Sequence, residues 1–198
     1  DRCAVATGNK KPSSSTKVSW KVLVIIFIML PFSAGCAHGA LQKDEASTPM
    51  GSFRLKSPSF THNATIPALY TCDGKDINPP LAIEGAPEGT ISFALIVDDP
   101  DAPIGVFDHW IMWNISGQTT EVREGSVPEG AVEGENDFRR TSYGGPCPPS
   151  GVHRYQFKLY ALDTKLDLES KADKSSLENA MQGHIIDQTV LVGLYSRK

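Results

Sequence analysis

Ile91-Ser92-Phe93-Ala94-Leu95-Ile96-Val97 is nearly all apolar, and it runs straight into Asp98-Asp99-Pro100-Asp101-Ala102-Pro103. A seven-residue apolar run is a strand length, and a strand with no wet face must be covered on both sides. The two prolines then fix φ and hold Asp99 and Ala102 extended, so the chain turns rigidly and presents acidic side chains at a strand end. Such a segment demands a layered β scaffold with ionisable groups at one of its rims.

Other segments agree. Phe53–Ser57 alternates like a strand with one wet face, and Trp110–Ile115 is a further apolar run. In Tyr155–Leu162, Tyr155, Phe157, Leu159 and Ala161 share a face, and Thr189–Tyr195 completes the set. Pro and Gly punctuate the intervals, as in all-β domains. One helix is predicted near the C-terminus. Ser175-Ser176-Leu177-Glu178 has capping-box spacing, with Ser175 as N-cap, and Leu177, Ala180, Met181, His184 and Ile185 follow on one face. Leu166–Ala172 is expected to add a short helical turn. The fold class expected is all-β dominated: two packed antiparallel sheets with one or two short helices near the C-terminus.

The first 36 residues are a different material. Lys17 and Lys21 precede the apolar run Val22–Leu30, and small residues follow up to Cys36. That is the pattern of a secretory signal, too short for a comfortable transmembrane helix. Ser33-Ala34-Gly35-Cys36 resembles the lipobox of bacterial lipoproteins, in which the Cys is lipidated; the alternative is cleavage nearby without lipid. Residues 37–51, mixed and without periodicity, are expected to be a flexible tether, and residues 52–198 the folded domain. An exported, membrane-anchored chain of the cell envelope or periplasm follows. With Cys3 in the lead and Cys36 lipidated, Cys72 and Cys147 remain. They either form a bridge, as an oxidising compartment favours, or pack as free thiols.

A net charge of -4 and the lack of any basic run with interleaved aromatics exclude nucleic acid as a partner class. His109 directly precedes the strand at Trp110, and His153 lies between the loop Gly144-Gly145-Pro146-Cys147-Pro148-Pro149 and the strand at Tyr155. A Gly-rich turn offers backbone N–H donors, and imidazoles add donors that become cationic near pH 6.5. Brought together with Asp99, they suit a phosphate, sulfate or carboxylate. Asp101 is expected to be a solvated turn residue, His184 a packed or rim histidine rather than a ligand, and Glu121–Asp137 an exposed acidic loop. Neither a cofactor nor a metal is expected, since no His-x-x-x-His or Cys-x-x-Cys spacing occurs. Gly-x-Ser-x-Gly is absent, and Ser150 stands too close to His153 on a rigid turn to serve as its nucleophile.

These motifs also resemble a known family. Tyr70-Thr71-Cys72-Asp73-Gly74, Pro79-Pro80-Leu81, Asp98–Pro103, His109-Trp110, Gly144–Tyr155 and Ala180–Ile185 are similar in type, order and spacing to the phosphatidylethanolamine-binding protein family, in its bacterial Raf-kinase-inhibitor-like branch. The resemblance implies a two-sheet Greek-key sandwich with a small anion pocket. It implies pocket residues Asp99, Pro103, His109, Gly145, Pro146, His153 and Tyr155. It further implies non-enzymatic binding of a small phosphorylated anion or phospholipid head group, or alternatively inhibition of a protease or kinase through protein contact.

Overall fold

The computed structural model describes residues 52–197. The expected signal segment, Cys36 and the tether lie outside them. No helix among the described residues is long and apolar enough to cross a membrane.

Two sheets form the domain. The smaller joins β1 (Arg54–Lys56), β3 (Leu81–Glu84) and β6 (Glu121–Val122) in the order β1-β3-β6. The larger contains β2 (Ala64–Thr65), β4 (Ser92–Asp99), β5 (Phe107–Ser116), β7 (Val132–Glu133), β8 (His153–Leu162) and β9 (Ile185–Tyr195), ordered β2-β9-β8-β4-β5-β7. The chain crosses between sheets repeatedly, as a Greek-key sandwich requires. Pairing is antiparallel except between β2 and β9, which run parallel. This short parallel pair departs from the purely antiparallel expectation.

Alternation along the strands builds the layers. Phe93, Leu95 and Val97 of β4, with Tyr155, Phe157, Leu159 and Ala161 of β8, face the small sheet and pack with Leu55, Leu81, Ile83 and Val122. Ala94 and Ile96 face the other way and are covered by Leu166, Leu177 and Met181. Every residue of β4 is buried, which is why that strand had to be apolar on both faces. Ile91 is left outside at its start, exposed.

The C-terminal segment departs from expectation in three ways. Helix α1 spans Lys174–Met181, and Asp173, in extended conformation, caps it by accepting a hydrogen bond from the Ser176 N–H at 2.8 Å. An Asp two residues upstream of Ser175 takes the N-cap role, so Glu178 is too far along for a capping box. Gly183 adopts φ +82 and ends the helix, placing His184 in the turn and Ile185 in β9 rather than on a helical stripe. Leu166–Ala172 is not helical, because its backbone is bonded elsewhere. The Asn114 side chain both donates to the Leu166 carbonyl (2.9 Å) and accepts from its N–H (2.8 Å), and the Ala172 carbonyl receives the Glu135 N–H. A short 3-10 helix at Ala68–Tyr70, not anticipated from the sequence, lies far upstream.

Glu121–Asp137 is less of a free loop than expected. It contributes β6 and β7, and it buries Val122 and Asn136.

Candidate functional site

The rim where β4 ends and β8 begins holds a cavity of about 240 Å³, lined by Asp99, Pro103, His109, His153 and Tyr155 together with Phe107 and Phe138. Residues distant in the chain meet here for separate local reasons. Asp98 and Asp99 are consecutive in β4 and point to opposite faces. Asp99 therefore follows Val97 toward the cavity, and Asp98 follows Ile96 toward α1. On β8, His153 and Tyr155 share the inward face.

His109 arrives by a device that its position alone does not reveal. Val97 pairs with Trp110 but Asp98 pairs with Asp108, so β5 carries one extra residue, His109, against β4. A β-bulge of this kind re-aims a side chain. It lets His109 face the cavity beside Trp110, which packs in the inter-sheet core, while Asp108 faces the helix.

The two imidazoles are fixed differently. His153 Nδ1 lies 2.7 Å from Asp99 Oδ2, and Asp99 Oδ1 accepts the Asp101 N–H at 2.9 Å. His109 Nδ1 lies 2.7 Å from the Gly144 carbonyl, which can only accept, so that nitrogen carries the proton. Both rings thus keep Nε2 free of these partners. Burial pushes His109 below the ordinary imidazole value, so at neutral pH it is uncharged. It is boxed edge-on by Phe107, Phe138 and Tyr155, with ring centroids 5.3, 5.2 and 5.1 Å away. The Tyr155 hydroxyl is buried without a hydrogen-bond partner. Burial and the Asp99 charge raise its pKa far above the usual range, so it stays a proton donor.

Gly145 and Pro146 stand differently from the expectation. Both are buried, and neither lines the cavity. The Gly144 N–H donates to the His109 carbonyl and the Gly145 N–H to Asp76 Oδ1 at 2.6 Å, so the donors of both glycines are already used. Glycine is required at 145 because a Cβ there would lie 2.5 Å from the Tyr70 carbonyl oxygen. The loop is structural, and its contribution to the wall comes from Cys147, Pro148 and Pro149. Cys147 is bonded to Cys72, with Cα atoms 5.5 Å apart, which settles the choice between bridge and free thiols. Phe107 and Phe138 were missed by sequence reasoning; a lone Phe beside a strand or in an acidic loop carries no signal of its own.

Asp101 is also more than a solvated turn residue. It holds Arg154 through Oδ1 to Nη2 at 2.6 Å and Oδ2 to Nε at 2.9 Å, and Oδ2 also accepts the Arg154 N–H. These bonds hold its carboxyl down at about 2. Between the ordinary value of 3.8 and about 2, the unfolded chain binds more protons, so this contribution is full above pH 4 and lost as pH falls through 2. Urea midpoints of wild type and Asp101→Asn should differ most at pH 7 and draw together as pH falls toward 2. A difference as large at pH 2 as at pH 7 would contradict this account. His184 is the expected exposed rim histidine, paired to Asp163 at 2.8 Å.

Fold and site together define a β-sandwich with a cavity lined by paired histidines at a sheet rim. The chain belongs to the phosphatidylethanolamine-binding protein family, whose model matches residues 56–196. A UPF0098 protein of Pyrococcus horikoshii is 47% identical over 185 residues, covering 88% of each chain. One from Aquifex aeolicus is 51% identical over 148 residues, 71% of this chain and 86% of its own. Among solved structures, a phosphatidylethanolamine-binding protein homologue from Chlamydia trachomatis superposes with TM-score 0.71 at 39% identity, covering 74% of this chain and 98% of its own. Escherichia coli YbcL, described as a member of the mammalian family, gives 0.70 at 32% identity, covering 74% and 99%.

Proposed function

We propose that the chain binds a small phosphorylated group carrying an amine, of the phosphoethanolamine kind, in this cavity and does not turn it over. The observation that carries this is the convergence of His109, His153 and the unpartnered Tyr155 hydroxyl on one cavity beside Asp99. Tyr155 donates to a phosphate oxygen. The imidazole Nε2 atoms, neutral, accept from an ammonium or a P–OH; protonated, they donate to phosphate oxygens. Phe107 and Phe138 give the cavity an aromatic wall beside these polar groups. Binding rather than nucleophilic catalysis is supported by the histidine partners: Asp99 and the Gly144 carbonyl orient the rings, and no hydroxyl is bonded to either among the described residues. The volume lies below the roughly 300–1,000 Å³ of sites that enclose drug-sized ligands, so it suits a head group without acyl chains.

Calorimetry with phosphoethanolamine and with inorganic phosphate tests this. Tyr155→Phe should weaken phosphoethanolamine by about fivefold to tenfold, the worth of one buried hydrogen bond. Because His109 is held below the ordinary imidazole value, affinity should climb mainly below pH 6.5 rather than across it, with proton uptake on binding. No heat with either compound, or equal affinity in wild type, Tyr155→Phe and His153→Ala, would remove the proposal.

A further inference from the structure

A carboxylate outside the cavity is tied to an imidazole inside it. Asp76 stands in the loop between the 3-10 helix and β3 and does not line the cavity. Its Oδ1 accepts the Gly145 N–H at 2.6 Å, and its Oδ2 receives Arg140 Nη2 at 2.9 Å. The Gly145 N–H and the Gly144 carbonyl belong to one peptide group, which is planar and, in its usual trans form, points the two in opposite directions. The carbonyl end accepts the His109 Nδ1–H at 2.7 Å. Asp76 and His109 are therefore the two ends of one chain of hydrogen bonds that runs through a rigid plate.

The surroundings hold this chain in place. Asp76 adopts φ +54, the left-handed region that a non-glycine residue seldom occupies. A Cβ at position 145 would lie 2.7 Å from Asp76 Oδ1, so glycine is what lets the N–H reach the carboxylate. Arg140, bound to the other oxygen, lies 5.0 Å over the Phe138 ring, and Phe138 meets His109 edge-on at 5.2 Å. One carboxylate thus steadies both the peptide that binds the His109 ring and the aromatic wall beside it. The loop itself has other fastenings: the Tyr143 hydroxyl donates to the Tyr70 carbonyl at 2.9 Å, the Cys72 N–H to the Pro146 carbonyl at 3.2 Å, and Cys72 is bonded to Cys147. These keep the loop docked without Asp76, whose own contribution is charge and direction at a single peptide.

A carboxylate at the N–H end polarises the peptide and strengthens the bond at its carbonyl end, because hydrogen bonds in a chain reinforce one another. The proton of neutral His109 then stays on Nδ1, and Nε2 is left as an acceptor. His153 obtains its orientation from Asp99 by direct contact. We propose that Asp76 is the positioning residue for His109, acting through the Gly144–Gly145 peptide, so that each histidine of the site has its own carboxylate. For its part in ligand binding this rests on the pocket reading above.

Asp76→Gly removes the carboxylate and suits the left-handed backbone. Asp76→Asn keeps the turn but leaves a carbonyl that serves one donor and an amide nitrogen that cannot accept from the other. Ring-nitrogen NMR of the histidines, on the full chain without ligand, is the first readout. Wild type should show His109 as a single tautomer protonated at Nδ1. In Asp76→Gly the His109 signals should move toward the average of mixed tautomers while those of His153 stay in place, and Asp76→Asn should fall between. Calorimetric affinity for phosphoethanolamine should drop about fivefold to tenfold in Asp76→Gly and about twofold to threefold in Asp76→Asn. Wild-type His109 signals in both variants overturn the proposal. Equal shifts in His109 and His153 also overturn it, since they report a general loosening. Should Asp76→Gly not fold, Asp76→Asn decides by the same two criteria. A wild-type chain that binds no phosphoethanolamine, while His109 alone responds to the substitutions, overturns the pocket reading and leaves Asp76 as the residue that sets this ring.

Discussion

Asp99→Ala should weaken phosphoethanolamine binding by roughly 30- to 100-fold, more than any other single change at the rim. Its two oxygens hold two different things: Oδ2 fixes the His153 ring, and Oδ1 closes the acidic turn on the Asp101 N–H. Hydrogen bonds to a charged group are worth about 1.5–3 kcal/mol each, and here the loss frees an imidazole that must otherwise be ordered by the ligand. Asp99→Asn is the informative companion. Its carbonyl can still serve one partner, so it should recover part of the affinity if orientation is the issue and little if charge is. Calorimetry on both, with ring-nitrogen NMR shifts to report the His153 tautomer, would check this. Wild-type affinity in Asp99→Ala would show that the dyad is a structural pair with no part in binding.

The largest stability effect should come from the neighbouring residue on the opposite face. Asp98 is 0% exposed, and its Oδ2 receives Lys158 Nζ at 2.6 Å and Lys174 Nζ at 2.8 Å; Lys174 reaches on to Asp108 at 2.9 Å. Burial lowers the Lys174 pKa, but the bonds to Asp98 and Asp108 outweigh it and hold the ammonium above its ordinary value. Removing one partner from such a network strands the other charges, at a cost of about 3–5 kcal/mol. Asp98→Ala should therefore lower the melting temperature by roughly 10 °C and shorten the hold of α1 on the sheet, since Lys174 is the first residue of that helix. Urea denaturation gives the number. A loss under about 1 kcal/mol would mean that the network behaves as an exposed surface pair. Ligand affinity should change far less than in Asp99→Ala, because the sheet separates the two carboxylates.

This contrast between adjacent aspartates shows where reading the sequence succeeds and where it stops. That Asp99 would be held at a rigid strand end follows from Pro100 after it. That one would face a cavity and the other an ion network follows from period-two alternation, but only once the covering layers are known. The strand cores were legible because burial on one or two faces imposes a pattern on the residues themselves, as in Tyr155–Ala161. The start of α1 differs from expectation because Ser175 and Asp173 are both competent caps, and it is Asp173 that accepts the Ser176 N–H. Leu166–Ala172 reads as helical until Asn114, some fifty residues away, takes up its backbone groups. Gly144 and Gly145 look like free anion donors until His109 and Asp76 claim them.

From the residues alone came the two-sheet class, the apolar strand that needed cover on both sides, and the candidate group of Asp99, His109 and His153, to which the family resemblance added Tyr155. These are local properties: hydrophobic period and fixed proline φ act within a few residues. Tertiary structure decided the bulge that turns His109 inward, the aromatic walls, the bond between Cys72 and Cys147, and the use of the glycine loop as a brace rather than a cradle. Each of those depends on which partner a polar or aromatic group meets across the sandwich, and a chain read in order holds no record of the competitors at that distance.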